Sequence, residues 1–127
     1  MRIHVAGNKL LDQDNLPLRI LPNLRKKFPG ILFEELDPSE NLPSGDLTLI
    51  DTVMGIDRVK EFSDINSFQK GGSCSVHDYD FLFELKLNMK LGKINNLLIL
   101  GVPSNLEEDE ALEQLIEKID KLKNIKK

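Results

Sequence analysis

Leu97-Leu98-Ile99-Leu100-Gly101-Val102 is an almost continuous apolar run. Such a run reads as a central strand covered on both faces, the pattern of a sheet sandwiched between helices. Pro103 closes it, and the Ser104-Asn105-Leu106-Glu107 stretch that follows has the form of a capping box opening a helix. In that last helix Leu112, Leu115, Ile116, Ile119 and Leu122 form one apolar stripe, acidic residues crowd the first turns, and lysines gather in the last. The stripe is expected to pack on the sheet and to bind nothing.

Working back towards the amino end, Asp78 to Met89 carries Phe81, Leu82, Leu85 and Met89 at helical spacing, after the Gly71-Gly72 pair. Arg58 to Phe62 alternates polar and apolar residues, as a half-exposed edge strand does. Asp46 to Val53 and Ile31 to Leu36 read as strands, with the Pro43-Ser44-Gly45 turn between them. A helix is expected from about Pro17 to Phe28, with Leu18, Leu21, Leu24 and Phe28 on one face. Pro17 suits its first turn, Pro22 should kink it or mark a restart, and Pro29-Gly30 stops it. Ile3 to Ala6 is a short buried strand ended by Gly7-Asn8. This order predicts an α/β fold: a three-layer α/β/α sandwich around a mostly parallel, about five-stranded sheet.

Composition narrows the functional classes. The 127 residues are one domain's worth, 40% hydrophobic and 30% charged. A net charge of -4 gives no concentrated basic face for nucleic acid. Arg25-Lys26-Lys27 is better explained as the last turn of a helix, where cations complement the dipole. The single Cys74 makes no internal disulfide and, without a CxxC or clustered histidines, no structural zinc site. The opening MRIHVAGN is too short in its apolar part for a signal peptide, and no window reaches the roughly 18 to 20 apolar residues that cross a bilayer. A cytoplasmic monomer without membrane contact is the expectation.

In open α/β sheets ligands collect beyond the carboxyl ends of the parallel strands. Three segments are expected there with groups that bind metal. The loop after the first strand offers Asp12 and Asp14, Asp51 closes the run Leu49-Ile50-Asp51-Thr52, and His77 ends the Gly-rich turn before a helix. Each has a plainer explanation: Asp14 as a helix cap, Asp51 as a turn acceptor, His77 as a satisfied histidine at a helix start. Their coincidence at one sheet edge is what argues for a site. Two carboxylates and an imidazole suit a borderline divalent ion such as nickel or zinc, with positions left open for another ligand. No GxGxxG follows the first strand, no GxxxxGK[ST] loop occurs, and Ser73, Cys74 and Ser75 lie near His77 without a GxSxG elbow. His4, inside the first strand, is expected to be structural.

These residues resemble a family. Val5-Ala6-Gly7-Asn8-Lys9-Leu10-Leu11-Asp12-Gln13-Asp14 is similar to the opening of the hydrogenase maturation endopeptidases, where a first strand runs into GN and then an acidic pair. Leu47-Thr48-Leu49-Ile50-Asp51-Thr52 resembles their strand ending in aspartate and a small residue, and Ser75-Val76-His77 resembles the serine and histidine before their next helix. Leu98-Ile99-Leu100-Gly101-Val102-Pro103 looks like their last buried strand. The resemblance runs in order from about Val5 to the terminal helix. It implies removal of a C-terminal peptide from the large-subunit precursor of a nickel-iron hydrogenase after nickel insertion. It also implies that Asp14, Asp51 and His77 engage nickel carried by the substrate, with no organic cofactor. Ligation needs a neutral imidazole and ionised carboxylates, so activity should fall in acid. Gln13 stands at the first acid of the pair, and Glu35-Leu36-Asp37-Pro38-Ser39 replaces the family's Gly-rich turn after strand two. These departures leave open a non-catalytic module that holds a metallated hydrogenase subunit during assembly. A small hydrolase with its own bound metal is a further possibility.

Overall fold

The computed structural model describes residues 1–6, 15–36, 42–53, 55–63 and 78–125, the side chains of 78–82 and 125 excepted. Five strands form one sheet: β1 (Arg2–Val5), β2 (Leu32–Glu35), β3 (Gly45–Val53), β4 (Lys60–Phe62) and β5 (Ile94–Pro103), in the order β2-β1-β3-β5-β4. The helices among the described residues are α1 (Leu16–Lys27), α2 (Asp78–Lys90) and α3 (Glu108–Ile125). β1 runs parallel to β2 and β3, and β3 runs parallel to β5. β4 is antiparallel to β5 and forms one edge, as its alternating sequence predicts. The expected α/β sandwich with a mostly parallel five-stranded sheet is therefore the fold observed.

Strand alternation divides the core into two layers. On one face Ile3, Val5, Phe33, Ile50, Leu100 and Val102 pack with Leu16, Ile20, Leu21 and Leu24 of α1 and with Ala111, Leu115, Ile119 and Leu122 of α3. On the other face Ala6, Leu47, Leu49, Val53, Phe62, Leu97 and Ile99 pack with Leu85 and Met89 of α2. The apolar stripe of α3 is thus core, as expected. Arg19 on α1 and Glu108 on α3 join the two helices at 3.0 Å. Lys118 on α3 reaches Glu61 of β4 at 3.7 Å, and Val59 N–H donates to the Gln114 side chain at 2.8 Å.

Three local expectations are corrected. The central strand is β3, buried from Leu47 to Val53, while the run at 97–102 lies one place nearer the edge, between β3 and β4. Pro22 does not restart α1, which continues through it. The ring sits on the exposed side, where water can serve the carbonyl whose hydrogen bond it removes. The capping box at 104–107 does not open α3. Leu106 N–H turns back to the Pro103 carbonyl at 3.5 Å, and the first helical bond runs from Ala111 N–H to the Glu107 carbonyl at 2.9 Å. The acidic first turn is then Glu108, Asp109 and Glu110, where the helix dipole favours negative charge.

Candidate functional site

The strand order fixes where a ligand would be met. From β1 the chain crosses to β2 on one side, with α1 on one face. From β3 it reaches β5 on the other side, with α2 on the opposite face. The carboxyl ends of β1 and β3 are therefore a topological switch point, where crossovers diverge and leave a crevice. Ala6 N–H donates to the Ile50 carbonyl at 2.8 Å, so β1 gives out just as β3 reaches Asp51.

Asp51 is the sequence-expected residue that the described structure places at this point. It is 5% exposed, held in β3 on the face that packs against α2, and its Oδ1 accepts a hydrogen bond from Thr52 N–H at 2.8 Å. Removing a carboxylate from water is costly unless its oxygens are satisfied, so a simple strand terminator would sit better at the surface. Its neighbour in register on β5 is Gly101. A Cβ there would lie 2.8 Å from both Phe62 Cε2 and Val53 Cγ2, so the chain needs glycine for the Phe62 ring to close over the strand beside Asp51. The Leu-Gly-Val-Pro run carries this glycine openly, but its reason lies in packing across strands.

Asp14 and His77 lie outside the described residues, as do Asp12, Gln13, Ser73, Cys74 and Ser75. Their sequence neighbours Asn15 and Asp78 open α1 and α2. Both helices run back to feed the amino ends of parallel strands, β2 and β5, so both begin at the carboxyl edge that holds Asp51. The N-cap position of α1 belongs to Asn15. Among the described residues no group of three or more His, Cys, Asp or Glu side chains is arranged to hold a metal ion.

His4 is the histidine whose surroundings are described. It is buried on β1, with Nε2 3.3 Å from Glu34 of β2. Burial lowers its pKa below the usual 6.5, against the opposing pull of the Glu34 carboxylate. It pairs across strands inside the sheet, in the structural role expected of it.

Neither a family model nor a curated protein sequence matches this chain. Solved structures do. The hydrogenase maturating endopeptidase HybD from E. coli superposes with a TM-score of 0.60 at 20% identity, covering 95% of this chain and 93% of that one. This chain has the fold of a hydrogenase maturating endopeptidase. An endopeptidase from Escherichia coli matches with a TM-score of 0.54 at 17% identity, over 93% of this chain and 86% of that one. An uncharacterized protein from Wolinella succinogenes matches with a TM-score of 0.56 at 12% identity, over 99% and 98%. The likeness spans nearly the whole of each chain, so the sandwich is shared from end to end. No helix among the described residues is long and apolar enough to cross a membrane.

Proposed function

We propose that this chain is an endopeptidase that removes the C-terminal extension of a nickel-iron hydrogenase large-subunit precursor after nickel has been inserted. The observation that carries the reading is the place of Asp51, a buried carboxylate at the switch point of a fold shared with a hydrogenase maturating endopeptidase. Asp14 and His77 immediately precede in sequence Asn15 and Asp78, the residues that open α1 and α2. In this reading the three side chains meet a nickel ion that belongs to the substrate. The ion marks the precursor as loaded and acts as a Lewis acid, polarising the scissile carbonyl or activating the attacking water. Two carboxylates and an imidazole leave positions on the ion for the substrate's own ligands and for that carbonyl or water.

A second reading comes from the sequence departures at Gln13 and at Glu35-Leu36-Asp37-Pro38-Ser39: a module that holds the metallated subunit without cutting it. One experiment separates the two. The precursor is incubated with this protein, with and without nickel, and weighed by mass spectrometry. Loss of the C-terminal peptide only from the nickel-loaded form supports the endopeptidase. Stable capture with the mass unchanged under every metal condition supports the holding module.

A further inference from the structure

The sheet has a second edge, opposite Asp51, where chemistry of another kind collects. β1, β2, β3 and β5 run parallel, so their first residues lie along one amino edge. α1 and α2 end there too, because each leads into a strand that starts at it. α3 ends beside them: Lys123 Nζ lies 5.5 Å from the ring centre of Phe28, the residue that closes α1.

Lys26 and Lys27 on α1, Lys90 on α2, Lys93 before β5 and Lys123 on α3 are all exposed at this edge. None of them has an acidic partner among the described residues. The acids there, among the described residues, are Asp46, which holds the Asn96 amide at 2.9 Å, and Asp120, one turn back on α3. The helix dipole accounts for cations at helix ends, but not for what lies between them. Met1, Leu32 and Leu91, at the same edge, are 41%, 49% and 60% exposed. The other large apolar side chains left exposed, Phe83 and Leu87, precede Leu91 at helical spacing, and Leu91 N–H still donates to the Leu87 carbonyl at 2.9 Å. They share one face of α2, and the stripe runs down to the edge.

Cations interleaved with apolar side chains match the surface of an anionic bilayer. The side chains come from separate elements across all three layers, a spread that a fluid surface accommodates and a single docked peptide does not. The acidic first turn of α3, Glu108 to Glu110, lies at the far end of the ten-residue β5, about 30 Å away. That is several Debye lengths at physiological salt, so the net charge of -4 does not oppose the edge.

We propose that the amino edge lies against an anionic membrane surface, with the Asp51 crevice facing the solution. That no described helix can cross a bilayer leaves contact with its surface open.

Flotation with lipid vesicles tests this on the intact chain. Vesicles of phosphatidylcholine with about 30% phosphatidylserine should carry the protein, vesicles of phosphatidylcholine alone should not, and about 0.5 M salt should release it. Lys26→Gln combined with Lys27→Gln should weaken binding about 10- to 30-fold, at about fivefold per lysine. Leu91→Ser should weaken it about threefold or more, as an apolar side chain is lost from the lipid contact. These positions are exposed, and circular dichroism checks that the variants fold. No binding to the anionic vesicles, equal binding to the neutral ones, or unchanged binding in either variant would overturn the proposal. Retention on immobilised polyglutamate in place of the vesicles would overturn it as well, and would assign the edge to an acidic protein.

Discussion

A carboxylate with 5% exposure in the central strand has a different meaning from one at the surface, and Asp51 is such a residue. It was legible in the sequence because it interrupts an otherwise apolar run. What it faces was not, because its neighbour Gly101 comes from a strand 50 positions away, aligned only by register. The same holds for Gly101. Replacing it with alanine should cost about 1–3 kcal/mol by overpacking against Phe62 and Val53. Urea unfolding of Gly101→Ala alone and combined with Phe62→Leu measures this, and the double variant should recover part of the loss. His4 adds a pH effect. Its native pKa lies below the usual 6.5, so the unfolded chain takes up a proton first as the pH falls. The stability it confers is complete above about pH 6.5 and is lost as the pH drops through the native value. His4→Gln should flatten that part of the stability profile between pH 7 and pH 5, followed by chemical denaturation at about half-unit steps.

At the scale of elements, burial decided what could be read. β3 and β5 are covered on both faces and so announce themselves as apolar runs, while β4, on the edge, shows the alternation of a half-exposed strand. The stripe on α3 was equally plain. Leu115 at its middle is fully buried against the sheet, and Leu115→Ala should destabilise the protein by about 2–5 kcal/mol in a thermal or urea melt. A loss under 1 kcal/mol there would mean that α3 does not pack as described. The start of α3 was misplaced because a capping box is a pattern of residue types, whereas the backbone makes a turn from Leu106 to Pro103 before the helix begins. On α2 the helical spacing of Leu85 and Met89 marked the inward face, and both pack against the sheet, while Phe83 and Leu87 are exposed.

The whole molecule is a five-stranded sandwich whose order β2-β1-β3-β5-β4 sets the switch point at Asp51. The sequence implied the sandwich from its alternation of strands and helices, and the family resemblance supplied the expectation of nickel and of a hydrogenase precursor. The shared fold with HybD agrees with that resemblance over 95% of the chain. The meeting of Asp14 and His77 with Asp51 belongs to the proposed function, because both flank the described elements. The central claim is that Asp51 serves cleavage and not merely folding. Asp51→Asn keeps an oxygen to accept the Thr52 N–H while losing the charge and one acceptor oxygen, so the variant should still fold, with a melting temperature that checks it. The decisive measurement is the intact mass of a nickel-loaded hydrogenase large-subunit precursor after incubation with the wild-type protein or with Asp51→Asn. The account predicts loss of the C-terminal peptide with the wild type and at least a hundredfold slower loss with the variant, as for removal of a group acting on the reacting centre. Processing by folded Asp51→Asn at the wild-type rate would contradict it.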